Sequence, residues 1–109
     1  MLKELRATGV FYDPPTDVTR VLVAQPPGTV RTHTVAADLL LDAKGFLVGV
    51  DVEPSAPTRT IVMIGPHENV ARTAAARVGV CTGGTGDVFE VRIARARASI
   101  QGDKPNPYG

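Results

Sequence analysis

Val35-Ala-Ala-Asp-Leu-Leu-Leu41, Asp42-Ala43-Lys44-Gly45 and Phe46-Leu-Val-Gly-Val-Asp-Val52 together carry the clearest fold signal in the chain. Phe46, Val48, Val50 and Val52 alternate with Leu47, Gly49, Asp51 and Glu53. Val35, Ala37, Leu39 and Leu41 keep the same period before the turn. A period of two marks a half-buried strand. Asp42–Gly45 is read as a four-residue loop, which sets Leu41 against Phe46, Leu39 against Val48, Ala37 against Val50 and Val35 against Val52. A three-residue loop would turn Asp42 and Asp38 toward the core, at a cost of several kcal/mol for unpaired carboxylates. Gly45 then ends the loop where a left-handed residue is needed, and Asp42 bonds the turn backbone.

Outward from this hairpin, nine prolines and eleven glycines punctuate the chain. Val- and Thr-rich runs between them favour strands. Further strands are expected at Val10–Asp13, Val18–Ala24 and Arg59–Ile64. The last is apolar on both faces and is expected to be central. A second hairpin is expected about Gly83–Gly86, with a Thr82–Asp87 loop setting Phe89, Val91 and Ile93 against Val80, Val78 and Ala76. A bulge near Ile93–Ala94 accounts for the phase change that follows, and a helix over Ile93–Ile100 is the alternative. Residues 67–76 fit either a short helix after Pro66 or an extension of the next strand. The expected fold is mainly β, a small antiparallel sandwich or partly closed barrel of six to seven strands with one short helix near 67–76. Residues 1–101 form a single domain and 102–109 a tail.

Composition narrows the function classes. The chain of 109 residues suits one core. It has no Trp, three Phe and two Tyr, so Val, Leu, Ile and Ala must fill that core. The net charge of +1 gives no general attraction to nucleic acid or to anionic membrane. Cys81 is the sole cysteine, so no internal disulfide forms and a reducing compartment is expected. The opening MLKELRATG lacks an apolar stretch, and no run reaches membrane-spanning length. The cytoplasm is the expected location. Scarce Lys beside abundant Arg, Ala and Val fits a high-GC bacterium.

Phe11-Tyr12-Asp13-Pro14-Pro15-Thr16-Asp17-Val18 resembles the opening Y-D-P-x-x-D-(V/A) of a small bacterial family of uncharacterised β domains. Asp42 to Val52 resembles that family's D-x-x-G-x-x-V-G-I-E-I hairpin, with Asp51 in place of Glu and Val50 and Val52 in place of Ile. The resemblance covers residues 10–54 and implies a small β-rich domain without assigned catalytic residues.

Candidate sites follow from the assumed registers. Leu40 and Leu47 form an apolar pair on the hairpin's outer face, with Asp38 and Asp51 diagonal beside them. That strip lies under another part of the chain or forms an interface between copies, most simply in a symmetric dimer. Arg77 falls opposite Arg92, with Arg72, Arg95 and Arg97 nearby. Facing like charges call for a relieving anion, a partner's acid or a neighbour such as Glu90 or Asp87. Thr82-Gly-Gly-Thr-Gly-Asp87 lacks the Lys-Ser/Thr of a phosphate loop and reads as a turn. The two histidines and Cys81 do not match metal spacing, and the scattered carboxylates lack a calcium-loop pattern. No cofactor or metal is expected, and no catalytic set converges. The leading expectation is a structural or protein-interaction module that self-associates. The alternative is a small-anion or nucleotide-binding protein, or an enzyme, using Arg77, Arg92 and the Gly83–Gly86 loop. Nucleic-acid binding through the C-terminal arginines comes third.

Overall fold

A computed structural model describes residues 2–25, 28, 30–84 and 86–94. The expected tail 102–109, together with Arg95 and Arg97, lies outside the described residues. Eight strands follow in chain order: β1 Leu2–Arg6, β2 Gly9–Asp13, β3 Val18–Leu22, β4 Arg31–Leu41, β5 Leu47–Val52, β6 Arg59–Met63, β7 Arg72–Thr82 and β8 Val88–Ala94. They form one strongly curled, half-barrel sheet in the order β1-β6-β5-β4-β7-β8-β3-β2. The mainly β expectation holds in its partly closed form. The sequence reading did not include β1, which runs parallel to β6 while every other neighbouring pair is antiparallel.

The concave side buries Val21, Ala37, Leu47, Val50, Val52, Val62, Val78, Val80, Val91 and Ile93 in one cluster. Each fully buried aliphatic side chain of this kind contributes about 1.5–3 kcal/mol of transfer free energy. Ala7 and Thr8 join the sheet's two outermost strands. The Ala7 amide donates to the Met63 carbonyl at 2.8 Å, and the Thr8 amide to that of Leu22 at 2.7 Å. The segment holding β1 and β2 thus runs along β6, turns, and continues along β3.

At the tip of the first hairpin Asp42 and Gly45 play their expected parts, but around a three-residue loop and not the expected four-residue one. Asp42 Oδ1 accepts from the amides of Lys44 and Phe46, both at 2.9 Å, and Gly45 has φ +90°. The register behind the tip differs from the sequence reading. Asp42 and Phe46 are opposed, with the Asp42 amide donating to the Phe46 carbonyl at 2.9 Å, and Leu41 faces Leu47. Leu40 then faces Gly49, so Val48 is an extra residue in a β-bulge. The bulge reverses the phase of β5 and returns Val50 and Val52 to the core without burying Asp38 there. Ala37 consequently faces Val52, Leu39 faces Val50, and Asp38 faces Asp51.

The second hairpin repeats this construction. The Gly83 amide donates to the Asp87 carbonyl at 3.1 Å, and Gly86 has φ +86°. Thr82 faces Val88, and Cys81 faces Glu90, which leaves Phe89 as the extra residue. The bulge therefore sits at the start of β8 and not near Ile93–Ala94. Gly79, not Arg77, lies opposite Arg92, and Arg77 faces Ala36 on β4.

Of residues 67–76, the second half is strand. Only His67–Asn69 form a helical turn of the 3-10 type, because from Arg72 onward β4 offers a full antiparallel ladder. The β6 strand lies one place from the sheet edge and is not central. Its two apolar faces have another cause, since residues 64–71 cross the outer side of the sheet. The amides of Ile64 and Gly65 bond the Val48 carbonyl, and that of Ala71 bonds Leu41. Val70 and Leu40 pack there on buried Val48, Ile61 and Met63.

Candidate oxyanion-binding face

Leu40 and Leu47 do not share an outer strip. The bulge sends Leu47 into the main core, and Leu40 is half-buried in the cluster with Val70. Asp51 is buried and gripped by Arg59, through Nε to Oδ1 at 3.3 Å and Nη2 to Oδ2 at 2.6 Å. Asp38 stands half-buried opposite it. The four residues proposed for an interface are therefore mostly occupied within the chain. Of the proposed arginines, Arg77 is exposed and borders a hollow with Thr34, Glu53 and Ser55. Arg92 belongs to a different group.

On the convex side of β2, β3 and β8, the ladder sets Phe11 opposite Arg20 and Arg20 opposite Arg92. Gly79 of β7 lies beyond Arg92. Two arginines facing each other repel, and Glu90, two residues from Arg92 on the same face, relieves them. Arg20 grips it with Nε to Oε2 at 2.9 Å and Nη2 to Oε1 at 3.0 Å. Arg92 Nε donates to the same Oε2 at 2.7 Å. The Glu90 side chain is only 4% exposed, whereas each arginine side chain keeps 46%. The hydrogen bond from Arg20, foremost, and that from Arg92 hold the Glu90 carboxyl below its ordinary value against the opposing effect of burial. The hydrogen bond to Glu90 correspondingly raises both arginines.

This arrangement fixes two guanidinium groups and leaves donors over. Arg92 uses only Nε, and its two Nη groups have no partner among the described residues. The two cations surround one buried carboxylate, and the Asp13 carboxylate also attracts Arg20, so the face offers spare donors without a surplus charge. A hollow of about 360 Å³ bordered by Asp13, Thr16, Val18, Arg20 and Arg92 opens here. Asp13 bounds it on the side of the β2–β3 turn, where Thr16 Oγ1 donates to its carboxylate at 2.6 Å. Tyr12 Oη closes the same turn by donating to Asp17 at 2.7 Å. The turn residues of the Tyr12–Asp17 motif are thus bound to one another.

Phe11 and Arg20 were absent from the sequence-derived candidates. Pairing Val10–Asp13 with Val18–Leu22 across the Pro14–Asp17 turn would have placed Phe11 against Arg20. Other hollows offer less. At one end of the concave side, Lys3, His33, Thr60 and Thr82 border a cavity of about 270 Å³. Its cations are engaged, Lys3 with Asp87 and Arg59 with Asp51. Among the described residues, no three His, Cys, Asp or Glu side chains come together as a metal site, and no helix is long and apolar enough to cross a membrane. No family model, curated protein or solved structure matches the chain.

Proposed function

We propose that the protein is a binding module that captures an oxyanion on the convex face of β3 and β8. The observation that supports this is the Arg20–Glu90–Arg92 group. A buried carboxylate orients two half-exposed guanidiniums, and planar guanidinium donors suit phosphate and carboxylate geometry. Pre-orientation by Glu90 lowers the ordering cost that a free arginine meets on binding. The test is calorimetric titration with inorganic phosphate and pyrophosphate at fixed ionic strength. Saturable binding that weakens about tenfold or more in Arg92→Gln, with Arg77→Gln unchanged, is the expected result. Absence of binding beyond that of a chloride control overturns the proposal.

A second reading, self-association, is favoured by the free edge of β4. Residues 31–35 pair with β7 on one side and have no ladder partner on the other among the described residues. Such an edge accepts a further strand. A second copy running antiparallel about His33 would set Thr32 against Thr34 and Arg31 against Val35, without opposing charged side chains. Light scattering should then report a dimer that the double variant Thr32→Lys, Thr34→Lys dissociates. A monomer at all concentrations rules this reading out.

A further inference from the structure

Phe11 is 55% exposed, although it is one of only three phenylalanines in the chain. Its ring is not loose. It lies back along β2 over Gly9, where an added Cβ would come within 3.0 Å of the ring's Cε2. The glycine therefore clears the ground on which the ring rests, and the ring is offered to solvent next to Arg20. The resulting row across three strands is an aromatic ring, then Arg20, then Arg92.

From this row we infer that the oxyanion is the phosphate of a nucleotide, whose base stacks on Phe11 while Arg20 and Arg92 hold the phosphate. The inference rests on the oxyanion reading above and names its ligand. Neighbouring strands stand about 4.8 Å apart, so Phe11 and Arg92 are roughly 10 Å apart across two ladder steps, the scale of one base–sugar–phosphate unit. An aromatic face accepts any base by stacking, and an arginine pair accepts any phosphate, so the row selects the class and not the base. One aromatic ring and a chain charge of +1 fit a single unit better than a strand, which needs repeated rings and many cations. Asp13 and Glu90 are the acidic groups facing the row. Glu90 is consumed by both arginines, and Asp13 marks the end where the phosphate is not expected. The phosphate therefore belongs against the Nη groups of Arg92.

The test compares three probes by calorimetry at constant ionic strength: inorganic phosphate, ribose 5-phosphate and adenosine 5′-monophosphate. The adenosine compound should bind about tenfold tighter than ribose 5-phosphate. Phe11→Ala should remove that advantage and leave ribose 5-phosphate binding unchanged, and Phe11→Tyr should restore it. Phe11 is exposed, so these variants should fold. Equal binding of the two sugar phosphates overturns the nucleotide inference and leaves the oxyanion reading standing. No binding by any probe overturns both. An eight-nucleotide single strand binding more than about tenfold tighter than the mononucleotide also overturns the inference, since the surface would then follow a strand.

Discussion

Thr19 carries a hydroxyl that the core leaves unused. The residue is fully buried, and its Oγ1 has no hydrogen-bond partner among the described residues. An orphaned buried hydroxyl costs about 1–3 kcal/mol, so Thr19→Val, which keeps the shape, should stabilise the fold by about 1 kcal/mol. Urea unfolding would register this as a higher midpoint at unchanged slope. Glu90 makes the opposite case. Its folded pKa lies below the ordinary 4.5 because both arginines favour the carboxylate. Protonation thus favours the unfolded chain. The stabilisation is complete above about pH 4.5 and is lost as pH falls through the lowered folded value. Both arginines stay charged throughout and add no slope. Glu90→Gln should cost about 2 kcal/mol at pH 7 and flatten the acid limb of stability against pH. An unchanged acid limb would show that Glu90 is not the group responsible.

At the scale of elements, the two bulged hairpins govern where side chains go. Gly49 lies just after the first bulge, and its missing Cβ is needed. An added Cβ would come within 2.8 Å of the Val62 carbonyl oxygen and 2.9 Å of Met63 Sδ. Gly49→Ala should therefore destabilise by about 2–3 kcal/mol through overpacking. Gly45→Ala meets the strain of its positive φ, about 1 kcal/mol, and a 3.1 Å approach to Nη2 at the end of the flexible Arg72 side chain, which can give way, so chemical denaturation should rank the two in that order. The same hairpins show what the sequence makes legible. Alternation located β4, β5 and β8, and Asp42 and Gly45 revealed the first tip. The bulges stayed hidden because Val48 and Phe89 are apolar and satisfy a strand pattern on either face. In each hairpin one extra residue, together with a loop one residue shorter than expected, shifted the register by two, which turned Leu47 inward and set Gly79 rather than Arg77 against Arg92. The arginine–carboxylate group was half-legible. Arg92 and Glu90 were visible as neighbours on one strand. Arg20 joins them only through the β3–β8 ladder, a contact between segments some seventy residues apart that local pattern does not encode, and Phe11 then follows from Arg20 across the local β2–β3 hairpin.

At the scale of the molecule, β4 and β7 form the centre of the sheet with an eleven-residue ladder, and the hairpins extend from it in opposite directions. Gly45 and Gly86, Leu47 and Val88, and Val50 and Val91 hold equivalent places about this centre. Amide exchange should accordingly be slowest in β4 and β7 and fastest in β1, an outermost strand whose Leu2 is exposed. Ala7→Pro removes the amide that bonds Met63 and should quicken exchange in β1 and β6 while leaving the central ladder protected. The corner at Ala7–Thr8 also has a consequence for biosynthesis. Leu2 pairs with Arg59 and Arg6 with Met63, so β1 leaves a ribosome without its partner and waits until β2 to β5 and then β6 have emerged. Loop closure of that length is among the last steps a chain completes. The nascent protein therefore carries β1 unpaired until β6 has been made. The charged Lys3, Glu4 and Arg6 in that strand keep it from pairing with a neighbouring chain during that interval.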